Sequence, residues 1–561
     1  MSEIKKAWYK EGVVYQIYPQ SFQDTNDDGI GDLRGIIERI PYLVHLGVNI
    51  IWLSPIYASP MDDNGYDIAD YYSINPIYGT MDDFKELIVK LKENGIKLIM
   101  DLVVNHTSDE HPWFQAALKD KNSPYRDYYF FRKGKKNKKP NNWTGFFGGT
   151  VWEYIPEQDE YYMHLFSKKQ VDLNWDNPKV REEVKNILRF WLDLGVAGFR
   201  CDVINVISKH PDLPHSKKLS ELRGSEYYIN GPRVHEYLQE LKRDVFSKYD
   251  CFTVGESVKV TTDTALEYIA FGKEELNMLF QFEHMSVDTI FLKWFIRKFK
   301  PMRLKRAFVK WQNEINGKAW NALYIENHDQ PRSASRFCDP RHYQMSVKML
   351  AAFYMLQQGT PFIYQGQEIG MCSPSFPRLS QYRDVESKNI YKIGREKLHF
   401  SHKRMMRKLQ YMSRDNARTP MQWSPGFQAG FTNGTPWIEL CDDYRLVNVD
   451  KQMRTENSIL NWYRKLIQLR QEHEVIVYGD FVEDLNNHKQ LIYFRRVYNG
   501  CILFVMLNYS NKTVAEEVIY PLDKAELILN NYEEDDGYMY PYQVKVYLYN
   551  QPDSEIDSLI L

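Results

Sequence analysis

Three acidic residues stand where short apolar runs end. Asp202 closes Gly198-Phe-Arg-Cys-Asp202, Glu256 lies within Val254-Gly-Glu-Ser257, and Asp329 lies within Glu326-Asn-His-Asp-Gln330. Each acid alone says little, because an Asp at a strand end is more often a helix cap. Gathered in one cleft, three carboxylates repel one another, and burial raises the pKa of the group it desolvates. One can then stay ionised while another keeps a proton, the condition that glycosidic cleavage requires.

Residues so far apart meet only if the chain brings those run ends together. The runs Val13–Pro19, Val48–Ile56, Lys97–Val104, Gly195–Val203, Phe252–Ser257, Leu276–Glu283, Trp320–Asp329 and Thr360–Gly370 read as strands buried on both faces. Amphipathic helices lie between several of them. Met81–Asn94 carries Phe84, Leu87, Ile88 and Leu91 on one face and stops at Gly95; Lys179–Leu194 stops at Gly195. Strands alternating with helices predict an α/β fold, a (β/α)8 TIM barrel, whose strand C-termini converge on the functional face.

Residues 105–175, rich in Asn, Gly, Trp and Tyr, are too long for a crossover. They are expected to form an inserted excursion domain after the third strand. After about residue 480 the pattern changes to short strands, Gln490–Val497, Cys501–Asn508 and Gln543–Tyr549. The expected division is therefore a barrel from 1–104 and 176–480, an insert, and a C-terminal antiparallel β domain over 481–561.

Bulk properties exclude other classes. The formal charge is −2 in 561 residues, against the basic excess of a nucleic-acid binder. The basic run Arg132–Lys139 reads as a solvated loop. Six scattered cysteines form no C-x-x-C pair, which speaks against a metal or redox cluster. The N-terminus has no apolar signal core, and no run reaches the ~20 residues of a membrane span. The expectation is a cytoplasmic protein with no membrane and no nucleic-acid partner, a monomer in preference to an oligomer. Aromatics at 15% suit both sugar stacking and an ordinary core.

The motifs Asp101-Leu-Val-Val-Asn-His106, GFRCD at 198–202, VGES at 254–257 and NHD at 327–329 resemble those of glycoside hydrolase family 13, the α-amylase family. The resemblance covers essentially the whole chain. It implies that Asp202 is the nucleophile, Glu256 the general acid/base and Asp329 the stabiliser of the transition state. It further implies that Arg200 keeps Asp202 ionised, and that His106 and His328 contact sugar hydroxyls. Retention would place the two working carboxylates about 5–5.5 Å apart.

Ser413–Trp423 (SRDNARTPMQW) and Gly65–Ile68 (GYDI) resemble the oligo-1,6-glucosidase branch. By that resemblance Asp67 and Arg414, with Arg418 as the alternative arginine, close the pocket behind a non-reducing glucose. Val203 after the nucleophile accompanies α-1,6 preference in the branch. The resemblance thus implies an exo-acting retaining α-glucosidase acting on short oligosaccharides. Val171 replaces a usual Pro and Ser257 a frequent Met, which points to an altered leaving-group side. An α-1,4-glucosidase, a sucrose-cleaving enzyme and a trehalose-6-phosphate hydrolase share the scaffold. The segment PRSASRFCDPRHYQ after the seventh strand differs from the RLDRD-like loop of sucrose isomerases. Transporter heavy chains of this fold lack the carboxylates that this chain keeps.

Asp24, Asn26, Asp28, the Ile30 carbonyl and Asp32 place oxygens at alternate positions, like the first half of an EF-hand loop. One structural Ca²⁺ is expected there, with Mg²⁺ as the alternative if waters complete the shell. No organic cofactor is implied.

Overall fold

The computed structural model describes residues 5–550 apart from 135–137, 221, 274, 291, 486, 518, 521 and 535. Part of the basic run and the last stretch of the expected C-terminal domain lie outside the described residues. Eight parallel strands form the central sheet: β1 (Val14–Ile17), β2 (Ile50–Leu53), β3 (Lys97–Leu102), β4 (Gly198–Cys201), β5 (Phe252–Glu256), β6 (Met278–Phe280), β7 (Ala322–Leu323) and β8 (Thr360–Tyr364). Their order is β6-β5-β4-β3-β2-β1-β8-β7. At the last seam Phe280 sets its ring edge-on to Tyr324, whose hydroxyl donates to the Gln281 carbonyl at 2.7 Å. The expected (β/α)8 barrel is therefore the fold.

Helices form where the periodicity places them. The helix α1 (Met81–Glu93) opens on a capping box between Thr80 and Asp83, which satisfies two orphan donors of its first turn. Its Phe84, Leu87 and Leu91 are buried, while Ile88 is partly buried against the same core. Asn177 caps α2 (Pro178–Asp193), and Pro178 suits the first helical position.

The strands are shorter than the apolar runs. The run Trp320–Asp329 yields only Ala322–Leu323 as strand. Beyond it, Glu326 accepts from the Ser333 amide at 2.6 Å and Asn327 from the Asp329 amide at 2.8 Å. Polar side chains replace ladder bonds there, so Asp329 stands on a loop anchored by side chains.

Within 105–175, His106–Ser108 pairs with Gln170–Asp172, and Trp152–Ile155, Glu160–Met163 and Phe131–Arg132 form a three-stranded antiparallel sheet. A small core under that sheet joins Phe130, Trp143, Trp152, Met163 and Leu165 to Val203 and Val206. At the C-terminal end β9 (Asp480–Glu483), β10 (Leu491–Tyr498), β11 (Cys501–Asn508), β12 (Glu526–Asn530) and β13 (Val544–Tyr549) build an antiparallel sheet. Alternation along β11 sends Leu503, Val505 and Leu507 into the barrel core, and Ile502, Phe504 and Met506 into a separate cluster. No helix among the described residues is long and apolar enough to cross a membrane.

Just beyond β8, Glu368 is fully buried, and its Oε1 accepts from the hydroxyls of Tyr15 at 2.8 Å and Tyr42 at 2.5 Å. Burial pushes this carboxyl up to about 7. A raised carboxyl favours the folded state while protonated, and that contribution is lost as pH rises from the unfolded value through the folded one. Glu368→Gln should therefore match the parent in Tm at pH 4.5 and exceed it increasingly from pH 6 to 8. The gain expected is on the order of 2 to 3 kcal/mol. Parallel Tm curves across that range would show that Glu368 does not titrate there.

Candidate active site

A cleft of about 230 Å³ opens at the C-terminal ends of the strands, lined among others by Asp63, Tyr66, His106, Gln170, Asp202, Val203, Glu256, Asp329 and Arg414. Arg200 lies beneath it, 1% exposed. Its Nη1 donates to Asp101 at 2.5 Å and to Asp202 at 2.6 Å, and its Nη2 pairs with Glu256 at 2.7 Å. One guanidinium thus bridges the two expected working carboxylates. Asp101 is held from its other side by the Trp52 indole at 2.7 Å, and burial raises it to about 6.

Burial pushes the Asp202 carboxyl well up; Arg200 opposes this, and Glu256 and Asp101 add to it. Three acids around one cation repel one another, and this adds to burial in raising Asp101 and Asp202. Glu256 Oε2 also accepts from the Val203 amide at 3.2 Å. Val203 sits in the left-handed region, φ 35°, a strained setting for a β-branched residue. That strain turns its amide toward Glu256 and its side chain into the cleft.

Asp329 is the most open of the three acids, with 27% of its side chain exposed. Arg418 Nη2 donates to it at 2.7 Å, and Arg414 Nη1 lies 3.5 Å away. Burial works against its ionisation, but His328, Arg414 and Arg418 hold it well below the ordinary carboxylate range. Burial pushes His328 itself down to about 3, so near neutral pH the two arginines supply the charge.

The expected binding residues divide. His106 lines the cleft, and its Nε2 donates to the Tyr66 carbonyl at 2.9 Å. Burial pushes it down to about 4, so it is neutral in use. His328 is fully buried behind Tyr66 and does not line the cleft. The Gln16 amide donates to its Nδ1 at 2.8 Å, which leaves the proton on Nε2, 2.7 Å from the Tyr66 hydroxyl. The rings of Tyr66 and His328 stack at 5°. Arg414 lines the cleft as expected.

Asp67 requires a correction. It is fully buried away from the cleft, and its oxygens accept from Ser59 Oγ at 3.1 Å, the Asp62 amide at 2.9 Å and the Asp63 amide at 3.0 Å. The acid that faces Arg414 is Asp63, at 2.8 Å from Nη2. Asp384 holds the same guanidinium at 2.6 Å. Asp67 thus shapes the loop that presents Asp63. Two further substitutions singled out in the sequence also lie off the cleft. Ser257 is fully buried, with Val258 at the wall instead, and Val171 is buried in its strand pair, with Gln170 at the wall.

Sequence reasoning missed Asp63, although the turn Asn64-Gly65 beside the quoted motif marks its loop. It also missed Phe146, Phe147, Phe166, Lys293 and Glu386, which no motif announces. Phe146 stacks on Phe166 at 4.7 Å, and Arg414 lies over the Phe147 ring. Lys293 is paired with Glu386 at 2.5 Å.

The first acidic loop is held by its own amides and by the 431–433 segment. Asp24 accepts from the amides of Asn26, Asp27 and Gly29 and from Thr432 Oγ1. Asp32 caps the following helix through the Gly35 amide and accepts from the Thr25 amide. Asn26 and Asp28 are exposed and joined at 3.1 Å. Hard oxygens suit Ca²⁺. Among the described residues, however, no group of three or more Asp, Glu, His or Cys converges as metal ligands would.

A barrel with acids on its strand C-termini, paired through a buried cation, defines a catalytic carboxylate cleft of the glycosidase type. Residues 16–479 match the description of the α-amylase catalytic domain. The chain belongs to the α-amylase family. It is 50% identical over 564 residues to an oligo-1,6-glucosidase of Parageobacillus thermoglucosidasius, covering 98% of this chain and 100% of that one. It is 45% identical to a trehalose-6-phosphate hydrolase of Escherichia coli K12, covering 94% and 95%. The solved structure of an isomaltulose synthase from Klebsiella sp. LX3 superposes with a TM-score of 0.94 at 39% identity, covering 97% of this chain and 100% of that one.

Asp67→Ala removes three acceptor contacts from a dry site. It should destabilise the protein by about 2–3 kcal/mol in urea unfolding. An unchanged midpoint would mean that the 59–67 loop is held by other contacts.

Proposed function

We propose that this chain is an exo-acting retaining α-glucosidase that releases glucose from the non-reducing end of short α-glucosides, with α-1,6 links preferred. The observation that carries the reading is the joining of two features in one cleft. Asp202 and Glu256 share Arg200, and the charged set Asp63, Arg414 and Asp329, the last backed by buried Arg418, lines the same cleft. Such a set hydrogen-bonds the hydroxyls of a terminal sugar and leaves no room for another beyond it. The Tyr66 ring offers the apolar face on which that sugar stacks.

In the reaction Asp202 attacks the anomeric carbon as the glycosidic bond breaks. Glu256 passes its proton to the leaving oxygen, and a β-linked glycosyl-enzyme forms. Glu256, now ionised, takes a proton from water, which attacks the same carbon and frees Asp202. Two inversions give net retention. Oε2 of Glu256 already accepts from Arg200 and from the Val203 amide, which leaves Oε1 to serve the leaving oxygen. Asp329 is held ionised by its arginines and faces the positive charge of the oxocarbenium-like transition state. Val203 narrows the leaving-group side, which a branched side chain can do by about 1–3 kcal/mol.

Hydrolysis of trehalose-6-phosphate is the second reading, and Lys293 in the cleft wall favours it. Its pairing with Glu386 neutralises much of the charge that a phosphate would meet, so isomalto-oligosaccharides rank first. Six free cysteines agree with a reducing compartment, and a cytoplasmic monomer is the proposed form.

We extend the proposal to one Ca²⁺ on the first loop, through Asn26, Asp28, the Ile30 carbonyl and one oxygen each of Asp24 and Asp32. Its role would be structural. Dialysis against EDTA should lower Tm by several degrees, and added Ca²⁺ should restore it. A Tm indifferent to both would mark the loop as held by its own hydrogen bonds.

The activity itself is tested by initial rates of glucose release from isomaltose, maltose and trehalose-6-phosphate at equal concentration. Isomaltose is expected to be fastest, by at least about tenfold. A faster rate on either competitor would overturn the linkage or substrate assignment.

A further inference from the structure

Asn205 lies three residues beyond Asp202 and is fully buried. Its Nδ2 donates to the Val258 carbonyl at 2.9 Å, and its Oδ1 accepts from the Val258 amide at 3.1 Å. A single carboxamide therefore grips both main-chain groups of one residue, as a neighbouring strand would. Val258 lies two residues beyond Glu256 and lines the cleft. The grip thus joins the loop that carries Asp202 to the loop that carries Glu256, above the ends of β4 and β5.

The carboxamide is itself fixed. Nδ2 also donates to Asn230 Oδ1 at 2.9 Å, and the Asn230 amide returns a bond to the Asn205 carbonyl at 2.8 Å. The Tyr268 hydroxyl donates to the same Asn230 oxygen at 2.8 Å. Between Asp202 and Asn205 the chain passes through Val203, whose strained backbone points its amide at Glu256. The two loops are therefore tied at three levels: the Arg200 guanidinium below, the Val203 amide at the acid itself, and the Asn205 grip above.

We propose that Asn205 is a positioning residue, which sets the acid/base carboxyl against the nucleophile by clamping Val258. The inference rests on the roles proposed above for Asp202 and Glu256. Only a planar group with a donor and an acceptor side by side can hold both groups of Val258. Asp lacks the donor and Leu lacks both. Without the clamp the segment after β5 keeps the Ser257 amide bond to the Phe280 carbonyl but loses its tie to the loop after Asp202, and the Glu256 carboxyl gains freedom. A displacement near 1 Å at such a centre costs about a hundredfold in rate.

The experiment compares leaving groups in Asn205→Ala and Asn205→Ser. Isomaltose needs a proton from Glu256 for its leaving oxygen, whereas α-glucosyl fluoride departs with little help. In Asn205→Ala, kcat on isomaltose should fall about 30- to 100-fold with KM within about threefold. The fall on glucosyl fluoride should stay within about fivefold, and the alkaline limb of the isomaltose pH profile should move. Asn205→Ser, whose hydroxyl can donate or accept, should lie between Ala and the parent. Circular dichroism and Tm establish that each variant is folded. Equal losses on both substrates, or no loss on either, would overturn the positioning role; if Ala does not fold, the same comparison on Ser decides. Asp202→Asn is run beside them. Undiminished hydrolysis there would sink the underlying mechanism instead, a failure distinct from that of the Asn205 proposal.

Discussion

Arg200 is a buried cation that faces three carboxylates, Asp101, Asp202 and Glu256. Left unpaired, a charge so far from water would cost several kcal/mol, so the barrel must bring acids to it. One cation cannot balance three anions, and burial together with the neighbouring acids raises Asp101 and Asp202. The same imbalance that makes the floor of the cleft expensive sets the two proposed working carboxylates side by side on one guanidinium. Strands β3, β4 and β5 each deliver one of the three acids or its immediate neighbour, which fixes their register around the guanidinium.

The wall around Asp329 shifts that balance without inverting it, two guanidinium groups facing three carboxylates. Arg414 and Arg418 stand against Asp329, Asp63 and Asp384, and there the cations hold Asp329 and Asp384 ionised despite burial. The two walls differ in the ratio of guanidinium to carboxylate; on the arginine-rich side Asp329 and Asp384 are lowered, while burial still raises Asp63. A sugar set between them meets fixed donors and acceptors on one side and a proton source on the other. Such a preorganised field acts without reorganising during the reaction.

The insert contributes more than a wall. Its small core includes Val203 and Val206, which flank the turn after the nucleophile. The strained backbone at Val203 thus stands where the apolar cluster of the insert meets the cleft wall. Apolar packing in one part of the chain thus supports a polar contact in another, the Val203 amide on Glu256.

Much of this was legible in the sequence. The barrel follows from buried runs alternating with amphipathic stretches, because periodicity is local and survives without coordinates. Asp202, Glu256 and Asp329 were marked by their motifs, and the alternation of helices and strands requires that their run ends share one face. Strand lengths were not legible, since Asn327 takes over the Asp329 amide that the apolar pattern assigns to a ladder, and Glu326 turns to the Ser333 amide of the next helix. The choice between Asp63 and Asp67 was not legible either. Both lie in one loop, and which carboxylate faces Arg414 depends on which is saturated by the loop's own amides. His328 carries the motif yet lies behind Tyr66, because side-chain direction at a strand end is set by the neighbouring loop. Lys293, Glu386 and the grip of Asn205 on Val258 join segments with no shared pattern. Sequence determined the chemistry through residue type and local period; tertiary structure decided which groups face the cleft, because burial and hydrogen-bond saturation are properties of contacts between distant segments.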